Sequence, residues 1–291
     1  AIEILLHTDL DILLYTDVGM DPLTQTLAYS RFAPLQVATW GHPSTTGSSM
    51  IDYFVTSENL EDVTSETHYT EKLLYLNNLG LDYERPQFHA ATDVRSQLGL
   101  PADVRLYGCP QTLYKFHPQF DAILARILEE DPTSELVLIE GRVAEWTHRL
   151  RRRFRRTLPC GGRQVRFLAP LPRQDFMSLL ATVDVLLDPP FFGGGNSSIE
   201  AVAVGTPVVT MEGPFLRSRI TSALYRELHL EDLIAADDKA YCQQATRIAR
   251  DFDYQAELRE RILAAAGKWF VLTEGSRQFA AGLLEMVSES K

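Results

Sequence analysis

Residues 191–210, FFGGGNSSIEAVAVGTPVVT, constrain the fold of this chain more than any other segment. Three consecutive glycines lead into Asn196, Ser197 and Ser198, then an apolar helical run, then a β-branched strand opened by Gly205-Thr206-Pro207. Ahead of them ATVDVLLDP (181–189) reads as a buried strand ending at Asp188-Pro189. The glycines therefore sit at a strand's carboxyl end, where open parallel sheets bind their ligands. Glycines let the backbone approach a ligand closely, and the Asn/Ser cluster supplies helix caps. Such a helix start offers unpaired N–H groups and a positive dipole end, which suits a diphosphate. Glu200, about one turn in, reaches toward a ribose hydroxyl pair. The pattern is neither G-x-G-x-x-G nor a P-loop. A glycine turn alone is also an ordinary tight connection, so its place after a buried strand carries the nucleotide-pocket reading.

The same alternation runs through the chain. DILLYTDVG (11–19), PLQVATWGHP (34–43), IDYFVTS (51–57) and EKLLYL (71–76) read as strands. A helix is expected over PLTQTLAYSRF and a polar helix over ENLEDVTSETHY. Residues 77–101 lose periodicity and hold Pro86 and Pro101, which marks a linker. Beyond it VRLYGCP, ELVLIEG, QVRFLAP, DVLLDPP and PVVTMEG supply further strands, and polar-faced helices close the chain after Leu216. The expected class is α/β with two Rossmann-like domains, parallel sheets and flanking helices. Residues 1–85 form a partial N-terminal domain, 86–102 the linker, and 103–291 a nucleotide-binding domain that includes the closing helices. The first half is short, consistent with strands upstream of Ala1.

A formal net charge of −11 over 291 residues sets the average field against nucleic acid and anionic membranes. The arginine run from Arg149 to Arg156, around Phe154, reads as a solvated helix face. Cys109, Cys160 and Cys242 are too scattered for a disulfide framework or a zinc site, which fits a reducing cytoplasm. No apolar run approaches a membrane span.

Several side chains at strand ends carry candidate chemistry. Lys115, in CPQTLYKFHP after the strand VRLYGC, can approach the glycine turn and neutralise a phosphate, or is a surface lysine. Arg173 follows FLAPLP and flanks a base or phosphate, or opens the next helix. In the first half Asp17, Asp21 and His42 are the ionisable groups with access to a reacting hydroxyl. A general base needs hydrogen-bond reach and a pKa near working pH, which His42 has intrinsically. Asp21 precedes Pro22 and a helical run, so N-capping competes with catalysis there. Thr45-Thr46-Gly47 caps a helix or donates to a sugar or phosphate, and Trp40 reads as core rather than a stacking platform.

WGHPSTTGSSMIDYFVTS, HYTEKLLYL, TLYKFHP, LLDPPFFGGGNSSIEAVAVGTPVVTMEG and RSRITSALY occur in this order over nearly the whole chain. Together they resemble the catalytic region of the SPINDLY / O-linked N-acetylglucosamine transferase family, nearest its bacterial branch behind tetratricopeptide repeats. The resemblance implies a two-domain GT-B fold and inverting transfer from a UDP-sugar (GlcNAc or another hexose) to a hydroxyl or amide, chiefly Ser/Thr of proteins. It implies no metal and a cytoplasmic protein with upstream repeats. By the same resemblance Lys115 contacts the donor diphosphate, Arg173 lies beside the uracil, and backbone near Leu171 bonds the base. Asn196 and Ser197 match the two phosphate-holding threonines, with Gly194, Gly195 and Ser198 around them, and Glu200 matches the ribose carboxylate. The departures fall near the sugar: Gly195 and Phe176 stand where animal members have histidines, and Thr112 replaces a glutamine. Catalysis would then rest on Lys115 with His42 or Asp21 as base. The competing readings are a non-catalytic or truncated nucleotide-sugar-binding remnant, and another GT-B enzyme using GDP-fucose or a small-molecule acceptor.

Overall fold

Parallel pairing accounts for every strand ladder in the computed structural model, which describes residues 2–80, 82–88, 93–271 and 274–290. In chain order the elements begin α1 (Ile2–Leu6), β1 (Ile12–Tyr15), α2 (Pro22–Leu27), β2 (Leu35–Thr39), β3 (Tyr53–Ser57) and β4 (Lys72–Leu76). Next come α3 (Val94–Gln97), β5 (Leu106–Gly108), α4 (Phe120–Glu130), β6 (Glu135–Ile139), α5 (Ala144–Thr157) and β7 (Val165–Leu168). Then follow α6 (Arg173–Thr182), β8 (Val185–Leu187), α7 (Asn196–Ala203), β9 (Val208–Met211) and α8 (Ile220–Glu227). The chain closes with β10 (Ile234–Ala235), α9 (Asp238–Arg250), α10 (Phe252–Trp269) and α11 (Glu274–Ser290).

The chain divides into two compact units. One takes Ala1–Tyr83, Pro214–Arg219 and Leu272–Lys291; the other takes Glu84–Gly213 and Ile220–Val271. The first holds a four-stranded sheet in the order β1-β2-β3-β4. Leu35, Val37, Val55 and Leu76 build its core together with Met286 of α11, and Phe279 and Leu283 pack against it. The sequence reading counted all the closing helices with the second domain, yet α11 serves the first. Its apolar stripe meets the first sheet, and Gly282 lets it lie close to Leu74, where an added Cβ would come within 2.9 Å of Leu74 Cδ2. The boundary falls at Tyr83/Glu84. Within the expected linker α3 forms at 94–97, and residues 89–92 lie outside the described residues.

ENLEDVTSETHY departs from expectation too: its only helical turn is a 3-10 turn at Ser65–His68. Asp62 Oδ1 accepts from Thr64 N–H at 2.8 Å and Thr64 Oγ1 at 2.7 Å, while Ser65 Oγ accepts from Asp62 N–H at 2.9 Å. Side-chain bonds of this kind offer the backbone an alternative to helix. The arginine helix α5 buries Thr147, Leu150 and Phe154 and exposes most of its arginines. Arg153 is the exception, turned in to clamp buried Asp121 at 2.8 and 2.9 Å and the Phe116 carbonyl at 2.9 Å.

The second unit's six-stranded sheet has the order β10-β9-β8-β5-β6-β7. Chain order runs outward from β5 to β6 and β7, then returns to β8 on β5's other side. The order in which the strands are laid down therefore reverses between β5 and β8. The crevice outside the carboxyl ends of two strands at such a switch point is the usual ligand site of these sheets.

Candidate functional site

Both loops at the β5/β8 switch point carry residues singled out in the sequence. From β8 the chain passes Asp188 and Pro189 into the glycine turn and α7. From β5 it passes Cys109 and Gln111 into a short 3-10 turn, Leu113–Lys115. Two of the three glycines are required by close approach. A Cβ on Gly193 would lie 2.8 Å from Asp188 Oδ2, and one on Gly194 would run into Ser198 Oγ and reach 2.8 Å from Ser197 Oγ. Gly195 faces open space and is instead the N-cap of α7, with φ −109° and ψ −100°. This corrects the expectation that Asn196, Ser197 and Ser198 cap the helix: they are its first three residues, and no side chain caps it. The serine hydroxyls are drawn elsewhere, Ser197 Oγ accepting from Gln111 Nε2 at 2.6 Å and Ser198 Oγ paired with Thr221 Oγ1 at 2.8 Å. The N-terminal end of α7, with its positive dipole, is left uncapped by the protein's own side chains.

Lys115 reaches this turn. Its ammonium donates to the Gly193 carbonyl at 2.7 Å and to Gln111 Oε1 at 3.1 Å, and lies 4.7 Å from the Phe192 ring centroid. Burial pulls its pKa below the usual lysine value, and the Asp188 carboxylate pushes the other way. Gln111 thus bridges Lys115 and Ser197, two groups that the family likeness assigns to the diphosphate. Sequence reasoning missed it; the available signal was its place one helical turn before Lys115. Thr112 is exposed at the start of the 3-10 turn, and its side chain makes no capping bond.

One turn into α7, Glu200 is buried but meets Arg173 at 3.0 Å. Burial raises the Glu200 pKa and the Arg173 guanidinium opposes the rise. Arg173, the first residue of α6, is itself exposed, and half-buried Leu171 precedes it in the loop after β7. Glu200, Arg173, Asn196, Ser197 and Lys115 are thus brought together around the carboxyl edge of one sheet.

The first-unit candidates have different neighbours. Asp21 is the N-cap of α2, its Oδ1 accepting from Leu23 N–H at 2.8 Å and Thr24 N–H at 3.1 Å. His42 is half-buried, and its ring packs where a Cβ on Gly19 would come within 2.6 Å. Burial, with Arg217 nearby, lowers its pKa, so its imidazole is neutral at pH 7. Thr45 and Thr46 neither cap a helix nor point free donors outward, because buried Glu71 takes them. It accepts from Thr45 Oγ1 and Thr46 N–H, both at 2.7 Å, and from Thr46 Oγ1. Trp40 donates from Nε1 to the Leu79 carbonyl at 3.0 Å and lines an apolar cavity of about 280 Å3 with Leu14, Leu76, Leu79 and Phe279.

Two parallel α/β sheets, the second doubly wound with a lysine, a glycine turn and a buried carboxylate at its switch point, define the fold class of GT-B glycosyltransferases. The family model described as glycosyl transferase family 41 matches residues 23–81 and 82–272, and the chain belongs to that family. Among curated relatives, the UDP-glucose:protein N-beta-glucosyltransferase of Actinobacillus pleuropneumoniae serotype 7 (strain AP76) is 28% identical over 273 residues, 93% of this chain and 43% of that protein. The probable UDP-N-acetylglucosamine–peptide N-acetylglucosaminyltransferase SEC of Arabidopsis thaliana is 28% identical over 66% of this chain and 20% of its own length. The chain thus spans less than half the length of either relative. Among solved structures, a mutant of the Thermobaculum terrenum O-GlcNAc transferase superposes with a TM-score of 0.86 at 27% identity, covering 99% of this chain and 55% of that one. Sucrose-phosphate synthase from Thermosynechococcus elongatus shares the fold, with a TM-score of 0.67 at 15% identity over 96% of this chain and 74% of its own.

Proposed function

We propose that this chain moves a hexosyl unit, GlcNAc or another hexose, from a UDP-sugar to a hydroxyl or amide of a protein acceptor, with inversion. The observation that carries this reading is the meeting of Lys115, the uncapped start of α7 and Glu200 at one sheet edge. The diphosphate lies on the 193–198 turn, its oxygens replacing Gly193 and Gln111 as partners of Lys115. Glu200 takes the ribose hydroxyls, Arg173 flanks the base, and backbone near Leu171 bonds it. The acceptor oxygen or nitrogen attacks the anomeric carbon. The bond to the β-phosphate oxygen breaks with its electron pair on UDP, and Lys115 and the α7 dipole stabilise the charge that develops. His42, neutral at pH 7, is the proton acceptor in this scheme; Asp21, its sequence-level rival, caps α2. No resident cofactor or metal takes part. The names of the relatives support a protein acceptor and a UDP-sugar donor. In this reading the reaction is cytoplasmic and the chain is part of a longer protein whose upstream tetratricopeptide repeats present the acceptor.

Calorimetric titration with UDP, GDP and their GlcNAc, glucose and fucose conjugates, against wild type and Lys115→Ala, tests the proposal. Tight UDP binding lost in the variant supports it, and the preferred conjugate names the donor. A preference for GDP moves the reading to fucosyl transfer. No binding by a folded chain leaves the nucleotide-sugar-binding remnant as the better description.

A further inference from the structure

One buried ionisable group beside the site has no part in the scheme above. Asp188 follows β8, is 2% exposed, and lies beneath the glycine turn. Three donors converge on its two oxygens: Gly194 N–H at 2.6 Å, Thr210 Oγ1 at 2.8 Å and the Thr221 hydroxyl. Burial raises the Asp188 carboxyl pKa above the usual value, and the three donors oppose that rise by favouring the ionised form. The geometry above it is a relay through one peptide group. The Gly194 N–H that Asp188 holds and the Gly193 carbonyl that receives Lys115 at 2.7 Å belong to the same planar amide. Fixing one end of that plane fixes the direction of the other, and hydrogen bonds in series polarise one another. Gly193 lacks the Cβ that would fill the space 2.8 Å from the carboxylate, so the carboxylate can sit this close.

We propose that Asp188 is a positioning residue of the donor site: through the Gly193–Gly194 peptide it aims the Lys115 ammonium, and its carboxyl group supplies the counter-charge beneath the turn. The proposal rests on the reading of Lys115 as the diphosphate ligand. Burial lowers the Lys115 pKa, and Asp188 is the leading charge that opposes the fall. In return Lys115 and the three donors oppose the rise that burial imposes on Asp188. The other titratable groups facing the pair are Cys109 after β5, Tyr225 on α8 and Tyr241 on α9. Burial raises the pKa of each, so they stay neutral where the pair titrates.

The test is UDP titration of the whole chain by calorimetry, for wild type, Asp188→Asn, Lys115→Ala and the double variant. It runs from about pH 4 to about pH 10, the span between the ordinary carboxylate and lysine values. The expected result is a roughly tenfold weaker UDP affinity for Asp188→Asn at neutral pH, with the alkaline loss of binding moved to lower pH. In the Lys115→Ala background Asp188→Asn then changes nothing further, as coupled residues require. Wild-type affinity and an unmoved alkaline limb in Asp188→Asn overturn the proposal. So does a loss of equal size with and without Lys115, which would mark a merely structural role. A folded wild type that binds no UDP overturns the donor-site reading and this inference together, whereas the outcomes just named overturn the inference alone. If thermal unfolding shows that Asp188→Asn does not fold, Thr210→Val carries the test. Removing one donor makes the carboxylate harder to ionise, so the acid-side loss of UDP binding moves to higher pH; an unmoved acid limb overturns the proposal.

Discussion

A lysine held by a backbone carbonyl and a neutral amide has partners that a phosphate can replace, whereas one locked to a carboxylate does not. Lys115 is of the first kind. In the proposed reaction its replacement by alanine removes a charged donor from the leaving diphosphate, and turnover of the preferred UDP-sugar falls by about 10²–10³ while the fold persists. Steady-state kinetics beside a thermal melt checks both halves of that statement. Glu200 presents a different case: it is buried, its partner Arg173 is exposed, and burial raises its carboxyl pKa, so its charge adds little to stability. Glu200→Gln therefore changes stability little but weakens UDP by about 1–3 kcal/mol, the scale for a buried polar group left without its charged partner. Titration with 2′-deoxy-UDP isolates the ribose contact: its affinity changes less between wild type and variant than that of UDP.

Elements place these side chains, and the loop 41–47 after β2 shows how a local pattern is overridden. Its Thr-Thr pair looks like a set of free donors, but buried Glu71 from the start of β4 gathers them. Burial raises the Glu71 carboxyl pKa, and the bonds from Thr46 and Thr45 outweigh it, so the group rests below the usual glutamate value. A carboxylate with a depressed folded pKa stabilises the fold fully above its unfolded value, about 4.3, and loses that contribution as pH falls through the folded value. Acid unfolding followed by circular dichroism is accordingly less steep for Glu71→Gln than for wild type across that window. At α2, Asp21→Ala removes two capping bonds and costs about 1 kcal/mol, with turnover unaltered. His42→Ala, measured beside it, abolishes turnover if the imidazole is the base; retained activity removes it from the scheme.

At the scale of the whole molecule, the last helix belongs to the first sheet. Met286, Phe279, Leu283 and Val287 of α11 lie against Leu35, Val37, Val55 and Leu76. A buried side chain of this size contributes about 1.5–3 kcal/mol, so removing residues 274–290 uncovers enough apolar surface to unfold a small unit. The truncated chain then shows rapid proteolysis within residues 2–80. On the proposed reading it still binds UDP, because every proposed donor-site residue lies in 84–213 or 220–271. Limited proteolysis with and without UDP reads out both effects, saturating nucleotide adding about 2.7 kcal/mol to the bound unit at a hundredfold excess over Kd.

The strands, the glycine turn and the positions of Lys115, Arg173 and Glu200 were legible because each depends on local pattern: apolar runs of strand length, turn chemistry and residues just past strand ends. Those signals survive without knowledge of the partner. What only the tertiary structure decided depends on groups far apart in the chain. Gln111 bridges to Ser197, Asp188 comes up beneath Gly193 and Gly194, Glu71 takes the donors of Thr45 and Thr46, and α11 crosses to the first sheet. In each case the side chain's chemistry permits several partners, and burial, which excludes water as an alternative, selects one of them.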